Sequence, residues 1–270
     1  MPEGHTIHRL ARRHSRLVGR GTTVSASTLQ DRFAAGAARL DGASFARAEA
    51  YGKHLFHRYT AADGEPLRLH VHLGLYGKFT DGTAPAPPAR GALRLRLLTE
   101  ERWFDLRGPI ACELVTDEEV AAIAARLGPD PLARRRDPAP FLDRVARSRA
   151  PIARLLMDQA VVAGVGNVYR AEVLFRQRVP PMAPGRDLDG ATREAIWEDL
   201  VGLLAAGVRS GRIVTTLPEH RARPSGRPRS VDAHYVYRRD GQPCRLCGTP
   251  VARAELDHRN LFWCPHCQAG

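Results

Sequence analysis

Cys244-Arg245-Leu246-Cys247, followed sixteen residues later by Cys264-Pro265-His266-Cys267, decides how the C-terminal part of this 270-residue chain is built. Two C-x2-C pairs are what two short knuckles need to bring four thiolates to one tetrahedral Zn2+ ion. Two disulfides are the competing reading, and a reducing compartment disfavours them. Sulfur at all four positions leaves no coordination site for water, so the zinc is expected to be structural. The last 27 residues are too few to bury a core of their own, and metal binding would supply their folding free energy. His258 and His266 compete as ligands but read better as solvated or facing a partner. The spacer puts Arg259 at the tip of a β-hairpin, as plain surface charge or as a phosphate contact.

Working outward, 41 Lys and Arg against 29 Asp and Glu give a net charge of +12, which favours a polyanion over a neutral or acidic metabolite as the main partner. Only Lys53 and Lys78 are lysines, so a lysine kept in so arginine-rich a chain asks for a reason. An arginine-biased genome accounts for the bias itself. With 43% hydrophobic and 26% charged residues the chain is globular. No apolar run reaches the ~20 residues of a membrane span, and the N-terminus lacks a signal-peptide core. A cytoplasmic, monomeric protein is expected, nucleoid-associated in a bacterium. Cys112, alone, reads as a small buried hydrophobe.

Upstream, the fold class is α+β. Ile7, Leu10, Ala11, His14 and Leu17 recur at helical spacing before Gly19, predicting a helix near the start. Residues 21–115 run apolar or alternate over four to seven residues between Gly, Pro and Asp breaks, predicting a β-sandwich. Thr116 and Glu119 form a capping box for a short helix ended by Gly128. Residues 128–141, with their prolines, read as a linker. Helices are expected over 141–148, 152–159, 167–178 and 191–208, and a basic loop over 218–230. The domains read as 2–116, a β-sandwich with an N-terminal helix; 117–140, a short helix and linker; 141–232, a helical domain with the basic loop; and 233–270, the zinc finger.

Pro2 is small enough for Met1 to be removed, which would expose a secondary α-amine. Such an amine has a pKa near ~8 and is partly neutral and nucleophilic at physiological pH. Added to a sugar's anomeric carbon, it expels the base and leaves an iminium that permits strand elimination. Glu3 is placed to donate or shuttle protons.

Pro2-Glu3-Gly4, Gly52-Lys53-His54-Leu55, His72-Leu73-Gly74-Leu75-Tyr76-Gly77, Leu127-Gly128-Pro129-Asp130-Pro131-Leu132, Gly164-Val165-Gly166-Asn167 and the four cysteines occur in that order. Together they resemble the formamidopyrimidine-DNA glycosylase and endonuclease VIII family, over nearly the whole chain. The resemblance implies a helix-two-turn-helix in the helical domain, a zinc-ribbon hairpin, and damaged double-stranded DNA as partner. It implies Pro2 as the Schiff-base nucleophile, Glu3 as proton donor and Lys53 as a catalytic lysine. A compact ammonium beside the sugar phosphates is not replaceable by a guanidinium. It also implies phosphate contacts by Asn167 and Arg259, a void-filling pair in Leu75 and Tyr76, Arg107 in the minor groove, and a site role for Glu172.

The chain departs from the family at two places. His5 and Thr6 stand where many members have a second Pro-Glu. Asp105-Leu106-Arg107-Gly108-Pro109 lacks the phenylalanine of the Arg-Arg-Phe-Gly segment that the guanine-oxidation branch uses. The preference therefore leans to oxidised pyrimidines, excised by a bifunctional glycosylase/AP lyase with β,δ-elimination. Two alternatives remain open in the residues: a non-catalytic zinc-ribbon reader of damaged or bent duplex, and a zinc-ribbon RNA-binding protein.

Overall fold

A computed structural model describes residues 2–269. The chain divides into two compact units, one reaching to Ala125 and the other starting at Arg126.

The first unit opens with α1 (Gly4–Val18), stopped by Gly19 at φ 82°. Its buried stripe Ile7, Ala11, His14 and Val18 follows the predicted period. Eight strands follow: β1 (Ser25–Ser27), β2 (Ser44–Tyr51), β3 (His54–Thr60), β4 (Pro66–His72), β5 (Lys78–Thr83), β6 (Leu93–Leu98), β7 (Arg102–Arg107) and β8 (Ala111–Leu114). They form two antiparallel sheets, ordered β1-β6-β7-β5 and β2-β3-β4-β8. Leu55, Leu69 and Val71 of one sheet share a core with Leu95, Leu97, Phe104 and Leu106 of the other. That is the expected sandwich. One element was not expected: a 3-10 turn (Asp31–Phe33) leading into α2 (Ala34–Leu40), which buries Phe33, Ala37 and Leu40 against the core. Seven alanine-rich residues carry too little periodicity to be told from a strand connection.

α3 (Asp117–Ala125) has the capping box in full: Thr116 N–H donates to Glu119 Oε2 at 2.8 Å, and Glu119 N–H donates to Thr116 Oγ1 at 3.2 Å. It ends two residues before Leu127.

The second unit holds α4 (Ala139–Ala146), α5 (Ile152–Leu155), α6 (Asn167–Arg176), α7 (Gly190–Ser210) and the hairpin β9 (Ala252–Leu256) to β10 (Arg259–Trp263). Helix α5 is one turn long where eight residues were expected. Gln159 works instead as a stitch across the double turn before α6: its Nε2 donates to Val165 O at 2.9 Å, and its Oε1 accepts from Gly164 N–H at 3.0 Å. The start of the expected linker packs onto the same turns. Gly128 is buried, and a Cβ there would meet backbone atoms of Ala160 and Val161 at 2.6 Å. Residues 218–230 are mostly exposed and irregular. Helix α6 is buried from Asn167 to Phe175. Its Tyr169, Val173 and Leu174 join the α4, α5 and α7 core, while Ala171 and Phe175 join that of the cysteine hairpin.

Candidate functional site

In the first unit, the N-terminus and Lys53 reach one end of the sandwich. Past α1, Gly21 N–H donates to Phe45 O at 2.7 Å and Phe45 N–H donates to Thr22 O at 2.8 Å, which ties the C-terminal end of the helix to the start of β2. Midway, Ala48 N–H donates to Ser15 Oγ at 2.8 Å. From Ser15 back to Glu3 the helix covers about 18 Å at its rise per residue. From Ala48 to Tyr51 the strand covers about 10 Å in the same direction, and the turn with Lys53 follows. Glu3 is fully buried, extended at φ −120°, and its carbonyl accepts from Thr6 N–H at 2.8 Å; Pro2 is half-buried before it.

Lys53 occupies the two-residue turn between Tyr51 and His54, where Gly52 at φ 55° supplies the backbone sign such a turn needs. Beside the turn, His54 Nδ1 and His70 Nε2 share a hydrogen bond at 2.9 Å, and His70 Nδ1 shares one with Glu113 Oε1 at 2.9 Å. Burial, then the neighbouring His70 and Lys53 charges, hold His72 below the usual imidazole value. Positions 5 and 6 bring an imidazole and a hydroxyl where a carboxylate is absent. Burial pushes His5 down to about 4, so it is neutral at pH 7, and its Nε2 lies 3.2 Å from Thr6 Oγ1.

Strand register carries this end further. His54 pairs with His72, and His72 with Ala111, so the loops 73–77 and 108–110 leave the sheets beside the Lys53 turn. In the first, Leu73 is buried while Leu75 is 49% and Tyr76 88% exposed. In the second, Ile110 is 70% exposed with its side chain lying over Gly74. The sequence reading missed Ile110; an aliphatic residue directly after the Gly108-Pro109 break was its only signal. Arg107, part-exposed, donates to Asp105 Oδ2 at 2.9 Å, and Arg96 donates twice to the same carboxylate at 2.7 and 2.8 Å. Burial raises the Asp105 pKa, but the bonds from Arg96 and Arg107 outweigh it and leave the group below its ordinary value.

In the second unit, Asn167 begins α6 and is joined to the hairpin: its Nδ2 donates to Asn260 O at 2.9 Å. Asp257 and His258 form the hairpin turn at φ 50° and 59°, and exposed Arg259 follows as the first residue of β10. Glu172 lies elsewhere. Expected as a nucleic-acid contact, it is 0% exposed and accepts from the N–H groups of Tyr235, Val236 and Tyr237 at 2.7–2.8 Å and from the Thr215 hydroxyl. A carboxylate enclosed by four protein donors anchors backbone and has no face for DNA.

The sulfurs of Cys244, Cys247, Cys264 and Cys267 lie within 4.8 Å of one another. Cys244–Cys267 is 3.8 Å and Cys247–Cys264 3.5 Å. A tetrahedron with Zn–S bonds of about 2.3 Å has edges of about 3.8 Å, whereas a disulfide would need about 2.05 Å. Leu246 N–H on Cys244 Sγ and Cys267 N–H on Cys264 Sγ complete the knuckles. The four thiolates hold one structural zinc; His258 and His266 are exposed and outside the cluster.

Residues 1–111 match the formamidopyrimidine-DNA glycosylase N-terminal domain, 127–219 the formamidopyrimidine-DNA glycosylase H2TH domain, and 241–270 a zinc finger found in FPG and IleRS. Endonuclease 8 1 of Mycobacterium tuberculosis (strain ATCC 25618 / H37Rv) is 50% identical over 99% of this chain and 100% of its own. The chain belongs to the formamidopyrimidine-DNA glycosylase and endonuclease VIII family. A formamidopyrimidine-DNA glycosylase of Synechococcus sp. is 35% identical over 78% of each chain. Lactococcus lactis Fpg, solved with N7-benzyl-Fapy-dG DNA, shares the fold with a TM-score of 0.82 at 21% identity, covering 100% of both chains. Membership makes the protein a DNA glycosylase with AP lyase activity, a zinc-containing member of the family that acts on damaged DNA.

Proposed function

We propose that the protein excises oxidised pyrimidines from duplex DNA through a Schiff base on Pro2 and then nicks the strand on both sides of the lost sugar. What supports this reading is the packing of α1 along β2, which carries Pro2, Glu3 and the Lys53 turn toward the same end of the sandwich, where the loop with exposed Leu75 and Tyr76 leaves beside that turn. With Met1 removed, the neutral Pro2 nitrogen attacks C1′ of the damaged nucleotide. The C1′–N bond to the base breaks, and the base leaves with a proton. The C1′–O4′ bond then opens, O4′ taking a proton from Glu3, and the resulting iminium acidifies C2′–H, so loss of that proton expels the 3′ phosphate, and a second elimination expels the 5′ phosphate. Glu3 handles protons at the sugar, and the Lys53 ammonium stabilises phosphate charge.

A base within a duplex must leave the stack for this chemistry, at a cost of a few kcal/mol. Leu75 and Tyr76 fill the space it vacates, and Arg107 enters the minor groove. Asn167, at a helix start, and Arg259, at the hairpin tip, bind phosphates. The pyrimidine preference follows from the segment Asp105–Pro109, which lacks a phenylalanine wedge. In this reading residues 2–116 are the catalytic domain, 117–140 a short helix and connection, 141–232 the DNA-binding domain and 233–270 the zinc finger. The protein works as a monomer in the cytoplasm; among the described residues no helix is long and apolar enough to cross a membrane.

The test is borohydride trapping on an abasic-site duplex, with mass spectrometry of the adduct's N-terminal peptide. A covalent link at Pro2, lost on replacing Pro2, is expected. Protein verified as lacking Met1 that forms no adduct would overturn the Schiff-base route. Comparing thymine glycol with 8-oxoguanine duplexes tests the preference: faster release of 8-oxoguanine would reverse it.

A further inference from the structure

Arg170 heads the fully buried side chains by volume, at 1% exposure, and nothing in the chemistry above uses it. It sits one turn into α6, near the positive end of the helix dipole, where a cation gains nothing from the helix. An apolar side chain of similar volume would fill the space without the cost of desolvating a charge. What the arginine adds is geometry. Its Nη2 donates to Asn167 Oδ1 and, at 3.1 Å, to the carbonyl of Asn260, the same carbonyl that accepts from Asn167 Nδ2 at 2.9 Å. Asn260 directly follows Arg259 in β10. A planar guanidinium holds two oxygen acceptors at a fixed angle, so it sets the Asn167 amide in one orientation and fixes the hairpin strand against the helix start.

We propose that Arg170 is a positioning residue that couples Asn167 to the hairpin carrying Arg259, so that the two engage the DNA backbone as a unit. The proposal rests on the reading of Asn167 and Arg259 as phosphate contacts. Without Arg170 the amide is free to turn over and β10 to shift along α6. A displacement of about 1 Å is enough to loosen a preorganised contact.

The experiment is the salt dependence of binding, with zinc-loaded protein and a duplex bearing a tetrahydrofuran abasic analogue. Each phosphate contact contributes about 0.9 to the slope of log affinity against log salt. Arg259→Ala is expected to lower the slope by about that amount. Arg170→Met is expected to lower it similarly although Arg170 itself meets no phosphate, and the double variant no further than either alone. Arg170→Lys, which keeps the charge but not the planar amine that Nη2 presents to both oxygens, should behave like Arg170→Met. A wild-type slope in Arg170→Met, or effects that add in the double variant, overturns the coupling.

Should Arg170→Met fail to fold, the Asn167→Ala and Arg259→Ala pair tests the same link: less than additive losses support it, and additive losses overturn it. If Arg259→Ala leaves the slope unchanged, the phosphate reading falls and this proposal with it. Trapping at Pro2 is scored separately and does not depend on either result.

Discussion

The β3–β4 hairpin of the sandwich and the β9–β10 hairpin of the ribbon are held in opposite ways. In the first, Leu55, Tyr59, Leu67, Leu69 and Val71 enter a core that the second sheet, α1 and α2 complete. In the second, no residue of β9 is fully buried, and of β10 only Leu261 and Phe262 are, packed on neighbours that include α6. Four thiolates do the rest. A wide apolar core spreads its stabilisation over many side chains, so single changes cost in proportion to the atoms removed. A metal-held hairpin concentrates stabilisation in four atoms, and losing one is expected to lose the whole.

The contrast is broken most directly at the metal. Cys264, fully buried, replaced by serine should release the zinc and unfold residues around 241–269, removing stabilisation on the order of 10 kcal/mol. Zinc stoichiometry and amide exchange read this. A Cys264→Ser protein with a protected hairpin would show that packing alone suffices. In the sandwich, Leu69→Ala or Phe104→Ala should cost about 3–5 kcal/mol, seen in denaturant unfolding, with zinc content unchanged. A loss above that range would mean the sandwich is as brittle as the ribbon.

The next effect is acid sensitivity. Burial pushes His5 down to about 4 and His14 to about 3, and holds His57 well below its ordinary value. The unfolded chain takes up protons at these groups near pH 6.5 while the folded one does not. Stability is therefore complete above that pH and falls as the pH drops toward the folded values, by up to about 1.4 kcal/mol per pH unit for each group. Unfolding of the first unit measured at pH 7.5, 6 and 5 checks the slope; a flat profile would contradict buried neutral imidazoles. The smallest change in stability is expected at Tyr76, 88% exposed. Tyr76→Ala should move stability by less than about 0.5 kcal/mol. It should nonetheless slow excision from duplex while leaving lyase action on single-stranded abasic DNA intact. Equal rates on duplex would remove the void-filling role.

The zinc site was legible because it rests on short-range chemistry. Cysteine spacing, the glycine that stops α1 and the capping box at Thr116 are each set by residues a few positions apart, whereas Lys53 was singled out through its place in a family motif. The helix at 34–40 and the packing of residues 128–131 were not legible, because partners distant in sequence decide them; the true end of α5 was missed because Gln159 turns to bond Gly164 and Val165 where the periodicity still allowed a helix. Glu172 shows the limit best. Its place in the motif suggested a nucleic-acid contact, and only the approach of Thr215 and residues 235–237 makes it a buried anchor. Ile110 shows the converse, since an aliphatic residue reads as core until loops 73–77 and 108–110 are brought together at an open edge.

By itself the order of residues settled the kind of protein this is: an α+β chain with a zinc ribbon and a net positive charge, since spacing and composition carry those properties locally. Only the tertiary structure decided which polar groups face outward and which are enclosed, as with Asn167, Arg170 and Glu172 on a single buried helix. Burial depends on what the rest of the chain lays over a residue, and no local pattern records that.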